Sequence, residues 1–315
     1  MRRLATAHGV ERAPGDDRIR ECLAARAADG FWLDIQDASE DDFRLLRDVF
    51  AFHPIGIDEV RRNAIRPRMN EFEDHAFMTL GTAEWVHGEM HLAAFHLFVG
   101  TGFLVTLHDE PSAELDALVD RLAQDPEPEP FVAYLAVDAL IDSLFPMLDE
   151  LDRVIDAIQD RAMASPTPAV LAEMHRIKRE VVQLHRMLGT QIDALQRLTT
   201  HQVELHAEEQ SMYFRNVYDH AVRQFEIVDS LRDLMTSAMD VYLSTVSNNL
   251  NITMKQLTVI ASVFLPLSFL TGFFGMNFDF LTSRIGTGTA FAAAMVVMAA
   301  SVVAQIVVFR RLRWI

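Results

Sequence analysis

The sequence predicts an α+β protein in which a soluble mixed domain gives way to helices alone, the last of them membrane-spanning. Three observations carry this. Strand and helix periods alternate up to about residue 130, and strand signals then stop. The 76 residues between Gly189 and Pro266 contain neither glycine nor proline. Two uncharged apolar blocks close the chain, 18 residues at 257–274 and 20 residues at 290–309. Each is long enough to cross a hydrocarbon core of about 30 Å at about 1.5 Å per residue.

Within residues 1–130, "GFWLDIQ" at 30–36 reads as a strand. "FHLFVG" and "FLVTLH", joined at Thr101-Gly102, read as a hairpin with a glycine-marked turn. "SEDDFRLLRDVFA" from Ser39 and "PSAELDALVDRLAQD" from Pro111 open with Ser or Pro and acidic first turns, so they read as helices. "DPEPEP" at 125–130 breaks the pattern and marks a domain boundary.

Residues 131–210 are expected to form a helical hairpin that turns at "SPTP", 165–168. Asp149, Asp152, Asp156 and Asp160 share one face of its first helix. A solvated face explains that row; weak divalent-ion binding is the sharper reading. After a polar turn near 201–210, residues 211–275 suit one helix of about 65 residues, roughly 100 Å long, running through the membrane. Phe225, Val228, Leu231, Met235 and Met239 give it a seam, to be packed against copies of itself or against the preceding hairpin.

The rest of the membrane part follows from charge. Lys255 precedes the first apolar block and Arg310, Arg311 and Arg313 follow the second, whereas the loop between them carries only Asp279 and Arg284. The positive-inside rule therefore predicts a hairpin with both ends cytoplasmic: an extracytoplasmic loop at 276–289, a second transmembrane helix at 290–309 and a basic tail at 310–315. The basic N-terminus shows no apolar signal segment, so the soluble part is expected in the cytosol and the protein in the plasma (inner) membrane. A single cysteine, Cys22, excludes an internal disulfide and a cysteine-based zinc cluster. The net charge of −17 argues against nucleic acid as a partner.

One face of the first membrane helix passes from bulky to small and polar toward the outside. Met254, Ala261 and Ser268 lie seven apart, as do Thr258, Leu265 and Gly272, with Leu257 beside them. Several copies around an axis would make that face a funnel; a bare packing seam is the simpler alternative.

The funnel ends in "LTGFFGMNFDF" at 270–280, where a glycine, a methionine and an asparagine interrupt the apolar run. This motif, with "MKQLTVIASVFLPLSFLTGFFGMNF" from Met254 and "DVYLSTVSN" from Asp240, resembles the CorA family of divalent-cation transporters. "FHP" at 52–54, "RPRMNEFEDHAFMTL" at 66–80, "FLVTLH" and the ending "RRLRWI" are similar too. The resemblance implies a homopentameric channel with a cytosolic α/β/α domain, a helical hairpin, a long pore-lining stalk helix and a second helix facing lipid.

It also implies a selectivity filter at Gly275, Met276 and Asn277, and a pore lined or gated by Asn251, Met254, Leu257, Leu265, Ser268 and Gly272. Asp240 matches a position implicated in cytosolic magnesium sensing between subunits, with Glu84 or Glu89 as candidate partner carboxylates. The expected cargo is Mg²⁺, with Co²⁺ and Ni²⁺ as alternatives, and cytosolic Mg²⁺ as regulator. Many magnesium-selective members follow the motif with an acidic "MPEL" loop, and here "DFLTSRIGTGTAF" stands there instead. That keeps a second reading open, a Zn²⁺ transporter of the related branch, with proton coupling as its alternative driving force. No HExxH, glycine-rich phosphate loop or nucleophile motif favours an enzyme.

Overall fold

Strands β1 (Arg2–Thr6), β2 (Gly9–Arg12), β3 (Phe31–Gln36), β4 (Arg68–Glu71), β5 (His75–Val86), β6 (Glu89–Gly100) and β7 (Phe103–His108) form one sheet in the order β2-β1-β3-β7-β6-β5-β4. Only the β3–β7 pairing in it is parallel. The computed structural model describes residues 1–6, 8–124, 132–200, 208–276, 288–312 and 314. Its contacts divide the chain into two units, Met1–Arg161 with Thr167–Met239, and Ala162–Pro166 with Asp240–Ile315.

Alternation along the strands feeds two cores, one on each face of the sheet. On one face, Met78, Leu80, Phe95, Leu97 and Leu104 pack with α4 (Ala113–Gln124), α5 (Val132–Asp142), α7 (Pro168–Thr200) and the start of α8 (Glu208–Phe274). On the other, Leu33, Ile35, Phe77, Phe98 and Val105 pack with α1 (Asp16–Asp29), α2 (Glu40–Asp48) and α3 (Pro54–Arg61). The result is the α/β/α sandwich that the resemblance implies.

Local chemistry explains the elements that position this sandwich. Ser39 and Asp42 form a reciprocal capping box at the start of α2. Pro54 opens α3, and Nδ1 of His53 accepts a hydrogen bond from the Ile55 amide at 3.2 Å. Gly102 turns the β6–β7 hairpin at φ 73°. The β5–β6 hairpin turns at His87 (φ 52°) and Gly88 (φ 84°), the two positive angles of a tight primed turn. Sequence reading missed that hairpin because histidine is a poor advertisement for such a turn.

A charged network is buried between β1, β3 and β7. Asp34 is 1% exposed and accepts from Arg3 Nη2 at 2.6 Å, from Thr106 Oγ1 and from His108 Nε2 at 3.2 Å. Burial alone would raise its pKa, but the His108, Thr106 and Arg3 contacts outweigh that and hold it below the ordinary carboxylate range.

Helix α6 (Leu144–Ala164) and α7 form the expected hairpin, and the four aspartates of α6 all face solvent. The seam of α8 packs within its own chain: Val228, Leu231 and Met235 are buried, His185 of α7 lies against Phe225 with ring centroids 4.4 Å apart, and Lys178 Nζ approaches Met239 Sδ at 3.8 Å. Helix α8 starts at Glu208 and runs 67 residues to Phe274 without a break at Pro266. Helix α9 (Gly288–Arg311) follows.

Candidate ion-conduction path and cytosolic carboxylates

Helix α8 carries every expected pore residue from Asn251 to Gly272 on one continuous element. Between Lys255 and the end of α8 no charged residue occurs, so the helix dipole and a few neutral polar side chains such as Ser268 set the local electrostatics. Asn251, Met254, Leu257, Thr258, Ala261, Leu265, Ser268 and Gly272 are all exposed in the single chain; Met254 is 60%, Leu257 59% and Leu265 74% exposed.

A different stripe of the same helix is covered. Val259, Ser262, Val263, Pro266, Leu267 and Leu270 are half-buried, and so are Ala290, Ala294, Met298, Ser301, Val302, Gln305 and Phe309 along α9. Each set recurs every three or four residues, the pattern of two helices laid side by side. At 3.6 residues per turn the centre of the covered stripe on α8 is about 150° from the centre of the pore-candidate set, whose exposure is shared by Ile260, Phe264 and Phe269. The pore-candidate face is therefore turned away from the covered face. Both helices are long and apolar enough to span a membrane, with mean hydropathy of 2.0 and 2.4 over their most apolar windows.

The C-terminal end of α8 closes with Gly275 N–H donating to Thr271 O at 2.9 Å and Met276 N–H to Phe273 O at 3.3 Å. The hydroxyl of Thr271 donates back to Leu267 O at 2.9 Å. A Cβ on Gly275 would stand 3.1 Å from Thr271 O, tighter than ordinary contact, so glycine suits this last turn. A helix's C-terminal turn carries partial negative charge, and on α8 that turn ends at Phe274. Met276 is 38% exposed, and Asn277 lies outside the described residues, as do Asp279 and Arg284 of the following loop.

The candidate sensing carboxylates are also exposed. Asp240 opens the segment of α8 that groups with the membrane helices. Glu84 pairs with His91 across the β5–β6 hairpin, and Glu89 pairs with Val86 at its tip. Glu84 and Glu89 thus occupy the same hairpin end. One cluster escaped sequence reading, Asp138 and Asp142 of α5 with His220 of α8. Its sequence trace is an i,i+4 aspartate pair, and only the fold adds a histidine 78 residues further on.

The family model described as CorA-like Mg²⁺ transporter protein matches residues 27–311, nearly the whole chain. The chain belongs to the CorA family. A cobalt/magnesium transport protein CorA from Thermotoga maritima is 26% identical over 293 residues, covering 90% of this chain and 83% of the relative. A zinc transport protein ZntB from Cronobacter sakazakii is 23% identical over 253 residues, covering 78% and 76%. The complete structure of the CorA magnesium transporter from Methanocaldococcus jannaschii superposes with a TM-score of 0.82 at 18% identity, covering 100% of this chain and 99% of that one. As a CorA-family protein the chain is an integral membrane divalent-cation transporter, not an enzyme.

Proposed function

We propose that the chain assembles as a homopentameric channel that passes Mg²⁺, and also Co²⁺ or Ni²⁺, across the plasma membrane with both termini in the cytoplasm. The observation that carries this reading is one exposed face of α8, bulky at Met254 and Leu257, small at Gly272 and small and polar at Ser268, and opposed to the stripe that faces the chain's own packing. Five such stripes around an axis make a lined path ending at Gly275, Met276 and Asn277.

The chemistry of that path follows from the residues. Mg²⁺ gives up its waters reluctantly, so a ring of Asn277 amides and the adjoining carbonyls would accept hydrogen bonds from a hydrated ion rather than strip it. An acidic ring would hold the ion harder and slow its departure. Ser268 offers a hydroxyl to the same water shell. Met254, Leu257 and Leu265 form apolar rings that gate by excluding water. Asn251 leads into them from the cytosolic side.

Regulation is assigned to cytosolic Mg²⁺ held by carboxylates at subunit boundaries, with Asp240 as first candidate and Glu84 or Glu89 of an adjacent copy as partners. The ion offsets repulsion between carboxylates and so favours the closed assembly. The ZntB relative supports a second reading, Zn²⁺ transport; a proton gradient as its driving force is the form of that reading to be tested. Uptake into liposomes, with Mg²⁺, Co²⁺, Ni²⁺ and Zn²⁺ in competition and a pH gradient present or absent, separates the two. Mg²⁺ entry that is inhibited by Co²⁺ and indifferent to the gradient supports the channel; Zn²⁺ entry driven by the gradient, without Mg²⁺ entry, supports the second reading.

A further inference from the structure

Three ligand-type side chains converge where α5 meets the stalk. Asp138 and Asp142 are one helical turn apart on α5, so both carboxylates leave the same face. His220 on α8 directs Nδ1 at both, 2.9 Å from Asp142 Oδ1 and 3.7 Å from Asp138 Oδ1. All three donor atoms lie within 4.8 Å of one another. Ligands about 2.1 Å from one tetrahedral ion stand about 3.4 Å apart, so these separations match a shared ion.

The cluster is incomplete as a hydrogen-bonded group. A neutral imidazole has one N–H, which cannot serve two carboxylates at full strength. Asp138 Oδ1 is shielded from solvent and has no hydrogen-bond partner among the described residues.

The surroundings hold the three groups in place. Tyr134 Oη donates to the other oxygen of Asp138 at 3.5 Å, and the Phe145 ring meets the His220 ring edge-on at 6.3 Å. One turn along α8, Gln224 Nε2 donates to Ile141 O at 2.6 Å, which ties α8 to α5 beside the cluster. A satisfied contact therefore fixes the spacing that the unsatisfied cluster uses.

We propose that Asp138, Asp142 and His220 form a metal site within a single chain that takes a transition-metal ion, Co²⁺, Ni²⁺ or Zn²⁺, and so pins the stalk helix to α5. The imidazole nitrogen selects the class of ion. Borderline metals accept mixed nitrogen and oxygen ligands, whereas Mg²⁺ prefers an all-oxygen octahedron. Two carboxylates and a neutral imidazole offset the full charge of a divalent ion and keep a position open for water. The site lies wholly in the soluble unit and goes beyond the proposed conduction path.

Equilibrium dialysis of the full-length protein in detergent against Zn²⁺, with a parallel Co²⁺ titration read by visible absorption, tests the site. Wild type is expected to bind one more Zn²⁺ per chain than His220→Gln, and to give a Co²⁺ band that weakens in that variant. Asp142→Asn, which keeps the shape of the side chain, should lower Zn²⁺ affinity roughly tenfold or more. Excess Mg²⁺ should leave the Zn²⁺ count unchanged. Equal Zn²⁺ counts and Co²⁺ spectra in wild type and either variant would overturn the site, as would displacement of Zn²⁺ by Mg²⁺. If His220→Gln fails to fold, the Asp142→Asn comparison decides alone. Liposome uptake by wild type reports separately on the conduction path, so failure of one leaves the other standing.

Discussion

At His96 a titratable ring is sealed inside the sheet: it is 1% exposed, its Nδ1 lies 3.1 Å from Thr79 Oγ1, and it stacks over Phe77. Burial, assisted by the positive charge of Arg68, lowers its pKa from 6.5 to about 4. The folded state therefore binds fewer protons than the unfolded chain between those values, and stability falls as pH falls through that window. A shift of that size corresponds to about 3 kcal/mol. Urea unfolding followed by tryptophan fluorescence should show the loss between pH 6.5 and 4, and His96→Gln should flatten it; equal slopes in both proteins would contradict the assignment. Asp34 acts lower on the scale, since its depressed pKa supplies stability above the ordinary carboxylate range and loses it as pH drops through that range. The same scale governs the proposed gate. Leu257→Asn should raise basal ion flux into liposomes several-fold, because a polar ring holds water that a leucine ring expels; unchanged or reduced flux would count against Leu257. Sequence alone pointed to Leu257 and Asn277 by motif, but no local pattern could unite Asp138, Asp142 and His220, since tertiary packing creates that cluster.

Among the elements, the long helices were the most legible. A run without glycine or proline leaves a helix uninterrupted, and α8 extends from Glu208 to Phe274 as that rule implies. The strands were legible where turn chemistry announced them, at Gly102, and illegible where it did not, at His87-Gly88. Strands β1, β2 and β4 are four or five residues long, too short for a period to stand out from the helices and loops around them. The packing of α7 on β5 was also beyond sequence reading. It depends on Gly81, whose amide donates to Gln191 Oε1 at 2.8 Å and whose missing Cβ leaves room for Met187. Gly81→Val should therefore destabilise the soluble unit by roughly 1–3 kcal/mol through overpacking. Urea unfolding would measure it, and wild-type stability in the variant would show that α7 yields at no cost.

For the whole molecule, one continuous helix runs from the sheet-bearing unit into the membrane-helix unit, and under the proposed function it would link cytosol and pore mechanically. If cytosolic Mg²⁺ holds neighbouring copies together through Asp240, removing the ion should speed limited proteolysis of the wild-type protein, and Asp240→Lys should resist that change by supplying a fixed positive charge. Equal cleavage of wild type with and without millimolar Mg²⁺ would remove the regulatory role. The central claim is narrower: ions pass through a ring of asparagines at the end of α8. Mg²⁺ uptake into liposomes by wild type and by Asn277→Ala, each first shown by native mass to have the same subunit count, tests it most directly. The account predicts five subunits in both, rapid uptake in wild type and none above protein-free liposomes in the variant; equal uptake by the two would contradict it.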